Sequence, residues 1–372
     1  MTSSAAALGQ IRADVARVLA DFLARQRAAL AEIDPGLLPM LDAIGELLDG
    51  GKRLRPAFCY WGWRAAGGAG LAGQPDAGPI LTAAAALELL HASALVHDDV
   101  IDGSETRRGR PAMHRSFAAL HAARRWRGSA GSFGAGAAIL AGDLLLAWTG
   151  ELLRASGLPA AALQRGQPVL DAMRTELIAG QYLDLRGQAV GPGSVASALR
   201  VVRYKSAAYT IERPLLLGAT LADAPGAAAD EAEVTQARVA SACTSYGIPL
   251  GVAFQLRDDV LGVFGDPAKT GKPVGGDLRE GKRTVLLAIA MSRASAAQAN
   301  VLHRLLGDPR LDESGAADLR AVLTDTGALA ECERLIRANA EAALAALADA
   351  PFTEPAKAAL AELADAATDR AG

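Results

Sequence analysis

The stretch TAAAALELLHASALVHDDVID, residues 82–102, decides the fold that we predict for this chain. Leu87, Leu90 and Ala94 recur at spacings of three and four residues, and Asp98 continues the series, which is the period of an α-helix. The remaining faces of this helix are also mostly apolar. We therefore expect it to lie near the centre of a helical bundle, although it ends in clustered carboxylates.

The rest of the sequence favours the same architecture. Alanine is abundant, aromatic residues make up 4% of the 372 residues, and alternating β-branched runs are scarce, so we expect helices packed on small side chains. Breaks rich in glycine and proline separate helical segments of roughly 15–25 residues. These breaks lie at 65–79, 128–136, 187–197, 222–233 and 264–277. We find no linker that divides the chain, and we predict one all-α domain, a helical bundle spanning residues 1–372.

The charge balance gives no sign of a nucleic-acid or membrane partner. The 38 lysines and arginines nearly balance 41 aspartates and glutamates, for a net charge of −3, so we expect no nucleic-acid binding. The apolar run 80–96 is interrupted by Glu88 and His91, and we expect no membrane span. The first residues lack the charged start and unbroken apolar run of a signal peptide, which predicts a cytoplasmic protein.

The cysteines do not suggest a disulfide or a zinc site. Cys59, Cys243 and Cys332 are odd in number and far apart, and they lack the close pairing that zinc sites use. We expect three reduced thiols.

The acidic cluster that ends the central helix calls for a cation. Asp98 and Asp99 lie four and three residues before Asp102, so we expect all three carboxylates on one face of the last turn. Like charges repel there, and the helix dipole adds a penalty of ~0.3–1 kcal/mol each. Oxygen ligands outside an EF-hand pattern suit Mg²⁺, which bridges carboxylates to substrate phosphates. The alternative is an exposed, solvated acidic helix end.

A second acidic pair repeats this arrangement within FQLRDDVLGVFGDPAKTGKPVGGDLREGKRT, residues 254–284. An apolar helix ends in Asp258 and Asp259, with Gln255 one turn earlier and Asp266 in the loop beyond. Lysines and glycines then alternate, and both are suited to phosphate because ammonium groups bind it and glycine lets the backbone approach it. An ordinary polar loop would not predict so many of them directly after a matched acidic pair.

Two further basic segments fit the same chemistry. DGGKRLRP (49–56) and ETRRGRP (105–111) each place three basic side chains beside glycine. Either segment alone is typical of a solvated turn. Together with two acidic helix ends, they predict a site where Mg²⁺ and cationic side chains neutralise diphosphates.

Several segments together resemble the trans-isoprenyl diphosphate synthases, also called polyprenyl synthetases, over roughly residues 45–290. They are GGKRLRP (50–56), LELLHASALVHDDVIDGSETRRGRP (87–111), AILAGDLLL (138–146), GQYLDL (180–185), YKSAAYTIERPLLLGA (204–219) and FQLRDDVLGVFGDPAKTGKPVGGDLREGKRTVLL (254–287). The resemblance implies an all-α, usually homodimeric enzyme with a deep central pocket, the isoprenoid synthase fold. The two acidic motifs of such an enzyme face each other across the mouth of the pocket.

The resemblance also implies roles for individual residues. The metal ligands, for three Mg²⁺ ions with substrate bound, are Asp98, Asp99, Asp102, Asp258 and Asp259. The pocket for isopentenyl diphosphate matches Lys52, Arg55, His91 and Arg108. The other substrate-binding residues are Arg107, Gln181, Lys205, Ser206, Gln255, Lys272 and Lys282, with Asp184 lining the site. The implied catalytic residues are Asp98, Asp99, Lys205 and Asp258.

Two departures from the family pattern affect the site. Gly262 stands where many members carry a third aspartate of the second motif, so a metal contact there is absent or is supplied by water or Asp266. Ser206 replaces the usual threonine and keeps its hydroxyl.

The implied reaction is ionisation of an allylic diphosphate (dimethylallyl, geranyl or farnesyl) followed by attack of isopentenyl diphosphate. Ser93 and Ala94 are small where short-chain members carry bulky aromatic residues, and Leu90 forms a deeper floor. We therefore expect geranylgeranyl diphosphate as product, with longer polyprenyl or farnesyl diphosphate as alternatives. A class I terpene cyclase or a non-catalytic helical partner subunit also remains open. The cyclase would not need the isopentenyl pocket, and the non-catalytic partner would not need both acidic motifs.

Overall fold

The computed structural model of the chain describes residues 4–70, 72–191, 193–222, 229–265, 276–308 and 310–368. These residues form α-helices, one short antiparallel ribbon and two single 3₁₀ turns, which confirms the predicted all-α class. The helices are α1 (Ser4–Ile33), α2 (Leu38–Leu48), α3 (Leu54–Ala65), α4 (Gly78–Ile101), α5 (Met113–Ala123), α6 (Ala130–Arg154), α7 (Ala160–Val190), α8 (Val195–Val201), α9 (Arg213–Leu221), α10 (Ala229–Phe264), α11 (Gly276–Glu280), α12 (Val285–Arg293), α13 (Ala296–Leu305), α14 (Glu313–Asp325), α15 (Ala328–Ala348) and α16 (Glu354–Thr368).

The other elements of the described chain are a π-helical segment, the two strands of the ribbon and the two 3₁₀ turns. A π-helical segment, Val202–Glu212, joins α8 to α9. The ribbon consists of β1 (Thr106–Arg107) and β2 (Arg110–Pro111), with Arg107 opposite Arg110. The two 3₁₀ turns are Pro35–Leu37 and Pro75–Ala77.

Helix α4 lies at the centre of the bundle, as its apolar faces predict. It packs most extensively against α6, and also against α1 and α3. Its start is favoured by Pro79 in the first turn, where a missing N–H costs nothing. It ends at Ile101, and Gly103 follows with φ of 64°, a left-handed conformation that lets the Ser104 N–H bond the Asp99 carbonyl. This end fixes the direction in which the acidic motif leaves the core.

Helices α3 and α9 touch through glycine. A Cβ placed on Gly218 would lie 1.8 Å from the Cys59 carbonyl oxygen, and one on Gly62 would lie 2.0 Å from the Leu215 carbonyl oxygen. The two backbones are therefore in direct contact, which any larger residue at either position would prevent. The alanine- and glycine-rich composition is used here to bring helix axes together.

Buried apolar side chains form two clusters. The larger is built on α1–α7, α9, the first half of α10 and α16 around residues such as Phe58 and Leu87, and the smaller is built on the end of α10 and on α12–α15 around residues such as Leu256 and Ile289. The cavity described below is lined by members of both clusters, including Leu90 from the first and Val202 from the second.

All three cysteines are free and buried, as the sequence predicts. Burial raises the pKa of the Cys59 thiol to about 12, and that of Cys332 to about 12 with a smaller contribution from Asp259. Burial also raises the pKa of Cys243. None of these thiols carries the electropositive surroundings of a reactive cysteine.

Three described helical stretches are long and apolar enough to cross a membrane, by length and composition only: α4, α6 and residues 234–264 of α10. Most of the apolar stretch of α4 is buried within the protein (72%), whereas only 28% of that of α6 is buried. The expected absence of a membrane span therefore stays a prediction.

Candidate active site

A cavity of about 680 Å³ runs between α3, α4, α7, the π-helical segment and α10. Charged side chains from both acidic motifs and from the basic segment GGKRLRP line it. Apolar side chains line it as well, and Leu90 and Leu177 lie two turns and one turn along their helices from Asp98 and Gln181. The cavity can therefore hold an anionic group at one end and a hydrocarbon tail at the other.

Asp98 is the residue of the first acidic motif that lines the cavity. Its carboxylate accepts a hydrogen bond of 2.6 Å from Nε2 of Gln181, and the Lys205 Nζ lies 3.4 Å away. The same Nζ donates a 2.6 Å hydrogen bond to Asp184. Burial lowers the pKa of Lys205, but Asp98 and Asp184 outweigh that effect and raise it, so the ammonium stays charged.

Asp99 does not share the face of Asp98, which corrects the expectation that all three carboxylates point the same way. Consecutive helical residues are rotated by about 100°. Asp99 is consequently buried, and the Arg107 guanidinium donates to both of its carboxylate oxygens. Because its side chain does not line the cavity, Asp99 here positions Arg107, which does.

Asp102 caps the C-terminus of α4. Burial raises the pKa of its carboxyl to about 6, and the nearby Asp98 adds to the shift, while Lys205 and Lys282 oppose it. The pair Asp98 and Asp102 thus retains the mutual repulsion that its spacing predicts, and a bound cation would relieve it.

The second acidic motif lies on α10 at the same cavity. Asp258 and Asp259 both line it, and Gln255 donates a 2.8 Å hydrogen bond to Asp259. Burial raises the pKa of the Asp259 carboxyl to about 7, with the Gln255 hydrogen bond opposing and with Asp277 and Asp258 adding to the shift. The carboxyl group at the most enclosed position of this motif is therefore poised to lose a proton when a cation arrives.

Gly262 leaves room for another carboxylate. A Cβ at Gly262 would lie 2.0 Å from Oδ2 of Asp277, whose other oxygen is 3.3 Å from the Lys282 Nζ. Asp277 therefore occupies the space beside the position where a third motif aspartate would stand. The sequence predicts that the metal contact is absent there or is supplied by water or Asp266, and Asp266 lies outside the described residues. The pattern GGDLREGK contained Asp277, but its place against Gly262 depends on the fold.

The basic cluster is built around Arg55 and His91. Arg55 stacks on the Tyr209 ring, 4.3 Å from its centroid, and donates a 2.9 Å hydrogen bond to Thr210 Oγ1. The Tyr209 hydroxyl lies 3.1 Å from His91 Nδ1. Burial lowers the pKa of His91 well below its usual value, and Arg55 and Arg108 lower it further, so the ring is neutral at pH 7. If Tyr209 donates to Nδ1, the ring proton sits on Nε2 and is available to an anion.

A buried ion pair anchors the segment GGKRLRP to α4. Arg53 donates a 2.6 Å hydrogen bond to Glu88 of α4, and a second one to the Leu48 carbonyl. Both charged side chains are 5% exposed. The pair fixes the turn that carries Lys52 and Arg55 to the cavity wall. The sequence predicts Arg53 only as one of three basic side chains of this segment, without a buried partner.

Arg108 reaches the same turn from the ribbon. It donates to the carbonyls of Leu47 and Asp49, at 3.0 and 3.2 Å, and adopts a positive φ of 52°. Its guanidinium therefore lies at the cavity wall beside Lys52, as the sequence predicts for the two residues.

The π-helical segment places Lys205 beside the first acidic motif. It packs against α7 at Gly180, where a Cβ would lie 2.5 Å from the Lys205 backbone nitrogen. π-Helical turns are rare in proteins overall, and those that occur often lie at functional sites. Ser206, Tyr209 and Thr210 from the same segment also line the cavity. Tyr209 and Thr210 were missed as site residues, because their roles depend on side chains from α3 and α4.

Of the remaining predicted site residues, all but one line the cavity. Gln181, Ser206, Gln255 and Lys282 line the cavity with the acidic motifs, as do the predicted floor positions Leu90, Ser93 and Ala94. Lys272 lies outside the described residues.

The donor set fits Mg²⁺ that is shared with a substrate. Within the described parts of the chain, no three His, Cys, Asp or Glu side chains converge closely enough to hold a metal ion by themselves. Asp98, Asp258 and Asp259 nevertheless offer carboxylates to one cavity. Mg²⁺ binds through one or two carboxylates together with waters and substrate phosphates, so a closed protein cage is not required.

Comparison with known proteins agrees with this geometry. The polyprenyl synthetase family matches residues 39–323, a longer span than the predicted 45–290. A geranylgeranyl diphosphate synthase of Mycobacterium tuberculosis is 30% identical over 94% of each chain. A geranylfarnesyl diphosphate synthase of Aeropyrum pernix is 33% identical over 82% of this chain and 85% of its own.

A solved structure extends the likeness to the fold. The geranylgeranyl pyrophosphate synthase of Corynebacterium glutamicum, crystallised with isoprenyl diphosphate and magnesium, is 40% identical, covers 98% of this chain and 99% of its own, and superposes with a TM-score of 0.89. The chain therefore belongs to the polyprenyl synthetase family of prenyltransferase enzymes.

Proposed function

We propose that the protein condenses isopentenyl diphosphate with allylic diphosphates and releases geranylgeranyl diphosphate as its main product. The observation that carries this proposal is a single cavity with two acidic motifs, a separate basic cluster and an apolar channel. The acidic motifs would hold the allylic diphosphate, the cluster around Arg55 and His91 would hold isopentenyl diphosphate, and the channel would take the growing tail.

The chain's own residues would organise ionisation of the allylic substrate. Mg²⁺ held by Asp98, Asp258 and Asp259 would neutralise the leaving diphosphate as the C–O bond breaks. Lys205 stays charged beside Asp98, and Arg107, which is fixed by Asp99, supplies a further donor at the cavity wall. These preorganised charges stabilise the developing negative charge more than water would.

The second substrate would then form the new bond. Arg55, Arg108 and neutral His91 would hold isopentenyl diphosphate so that its double bond faces the allylic cation. The apolar lining excludes water that would otherwise trap the cation. We propose the released diphosphate as the base that takes the proton and restores an allylic product.

One incubation tests the proposal. The purified protein is given radiolabelled isopentenyl diphosphate, Mg²⁺ and each of dimethylallyl, geranyl and farnesyl diphosphate, and the products are separated by chain length. We expect elongation with at least one primer and geranylgeranyl diphosphate as main product. No elongation with any primer would overturn the synthase proposal. Cyclic hydrocarbon without elongation would support a terpene cyclase instead.

The support for the product length comes from the two turns of α4 that directly precede the acidic motif. Ser93 is 3% exposed and lines the cavity beside Ala94, and neither side chain narrows it as an aromatic ring would. Leu90 lies one turn deeper. The tail therefore has room beyond these small positions, which favours a longer product than farnesyl diphosphate.

Ser93→Phe should shorten the main product by one or more isoprene units. A phenyl ring at this buried position fills the channel that the tail must enter, since cores have no spare volume for it. Chain-length analysis of the labelled products measures the effect, and Ser93→Ala is the matched control with no added bulk. An unchanged product from a folded Ser93→Phe enzyme would contradict this account of the floor.

Mg²⁺ binding should weaken as the pH falls. The Asp259 carboxyl, with its pKa raised to about 7, is deprotonated at pH 8 and mostly protonated at pH 6, and the metal must displace that proton. The apparent dissociation constant for Mg²⁺ should rise about tenfold over this range. Calorimetric titration of Mg²⁺ into the protein saturated with an unreactive allylic diphosphate analogue checks it, and Asp259→Asn should abolish most of the pH dependence. An equal affinity for Mg²⁺ at pH 6 and pH 8 would contradict the role of the Asp259 carboxyl in metal binding.

We further propose a homodimer that covers the exposed faces of α6 and α7. Phe133, Ile139 and Leu140 on α6, and Ile178 and Tyr182 on α7, are between 38% and 64% exposed, more apolar surface than scattered single residues would give. Light scattering should give twice the chain mass, and Leu140→Glu should give the monomer. A wild-type monomer would contradict the homodimer proposal.

A cytoplasmic location and three Mg²⁺ ions per site remain predictions.

A further inference from the structure

The deep end of the cavity holds a charged side chain. Arg174 lines the cavity with Leu146 and Leu177, and it is the α7 residue that lies farthest from Gln181 among those that line it. At a rise of 1.5 Å per residue, Arg174 lies about 10 Å along the helix from Gln181, which marks the polar end through its bond to Asp98.

The equivalent depth on α4 is reached at Leu90, about 12 Å from Asp98 along that helix. Leu90 and Arg174 therefore lie at similar depths on the two helices, and Glu88, which lines the cavity beyond Leu90, is held in the ion pair with Arg53. The other charged side chains that line the cavity, within the described ranges, belong to the acidic motifs, to the residues that pair with them or with Lys205 and Lys282, to the ion pair of Arg53 and Glu88, or to the basic segments. Arg174 stands apart from all of these.

Arg174 is only partly compensated. Its Nε is buried without a hydrogen-bond partner, and its nearest carboxylate oxygen, on Asp171, is 3.6 Å from Nη1. Burial lowers its pKa, Asp171 opposes the shift and Arg154 adds to it. A guanidinium remains charged in a protein under any of these influences, so it cannot escape desolvation by losing its proton.

We infer that Arg174 is a specificity-determining residue that ends chain growth when the hydrocarbon tail reaches its guanidinium. The inference rests on the proposed function, because it concerns the length of the product that the same cavity releases. A prenyl tail has no atom that can accept a hydrogen bond, so covering Arg174 removes its remaining solvation without replacement. Leu177, about one turn nearer to Gln181 on the same helix, and Leu146 would instead gain from contact with the tail.

Arg174 would limit chain length by a different mechanism from the floor residues on α4. Ser93 and Ala94 act by size, and a bulky residue there would stop the tail sterically. Arg174 acts by charge at the far end of the same channel, so a side chain of similar length without charge should let the tail pass.

The test compares Arg174→Leu with Arg174→Lys in the full-length enzyme, using isopentenyl diphosphate, farnesyl diphosphate and Mg²⁺. In Arg174→Leu, the ratio of products longer than the wild-type main product to that product should rise about tenfold or more, a discrimination typical of one pocket contact. In Arg174→Lys, which keeps the charge, the ratio should stay within about twofold of wild type. Arg154→Leu is the matched control, because it removes a neighbouring charge that does not line the cavity.

The outcomes separate this inference from the proposed function. If the wild-type enzyme elongates no primer, the proposed function fails. If the wild-type enzyme elongates and Arg174→Leu yields the same chain lengths, only the role of Arg174 fails. A shift in Arg174→Lys or Arg154→Leu as large as that in Arg174→Leu would also overturn it. If Arg174→Leu does not fold, Arg174→Met carries the same expectation, and thermal unfolding identifies the folded variants.

Discussion

Asp98→Ala should lower kcat/KM of the condensation by about 10³-fold or more, which is the scale of losing a group that stabilises transition-state charge. Asp98 is the carboxylate of the first motif that lines the cavity, and it joins Gln181 of α7 to Lys205 of the π-helical segment. Its removal would take away a metal ligand and leave Lys205 paired with Asp184 alone. A steady-state assay with labelled isopentenyl diphosphate measures the loss.

The same substitution should hardly change the free energy of unfolding, by less than about 1 kcal/mol, because the Asp98 side chain is 22% exposed and repels Asp102. Asp42→Ala is the matched control, since Asp42 is an exposed acid of α2 paired with Arg27, outside the cavity. It should keep full activity. An Asp98→Ala enzyme within about tenfold of wild type would contradict the role of Asp98.

Glu88→Ala should lower the free energy of unfolding by about 3–5 kcal/mol, the cost of leaving one member of a buried ion pair uncompensated. Glu88 and Arg53 are each 5% exposed, and without Glu88 the buried guanidinium of Arg53 would keep its hydrogen bond to the neutral Leu48 carbonyl but lose its counter-charge. The variant should also raise KM for isopentenyl diphosphate, because the same turn carries Lys52 and Arg55. Urea unfolding and initial-rate kinetics measure the two effects.

Glu46→Ala provides the comparison for the ion pair. Glu46 also pairs with an arginine, Arg110, but both side chains are more than 60% exposed. Surface pairs of this kind contribute ~0–1 kcal/mol, so the change should stay within that range. Equal destabilisation by Glu46→Ala and Glu88→Ala would contradict the assignment of the buried pair.

The elements that sequence alone predicts well are those whose pattern is local. The apolar faces of residues 82–102 predict a buried central helix, and α4 is that helix. The apolar residues before the second acidic pair likewise predict a helix, which is α10, although α10 continues past Asp259 to Phe264 instead of ending at the pair. Both patterns are properties of a single helix, so no knowledge of its neighbours is needed.

Features that depend on neighbouring elements were not predictable. Asp99 pairs with Arg107 because the fold of the ribbon brings that guanidinium within reach of it. Asp277 fills the space beside Gly262 because α11 folds back onto α10. Tyr209 and Arg174 come to the cavity through packing between helices distant in sequence. Each of these contacts is decided by tertiary structure, and the local pattern contains no signal for it.

The three buried cysteines also provide a probe of breathing motions. A thiol reagent attacks the thiolate, and burial keeps Cys59, Cys243 and Cys332 protonated and out of reach in the folded chain. Cys332 lies in the smaller apolar cluster, whereas Cys59 and Cys243 lie in the larger one. Alkylation rates at the individual cysteines would therefore report which of the two clusters opens first, with no label engineered into the protein.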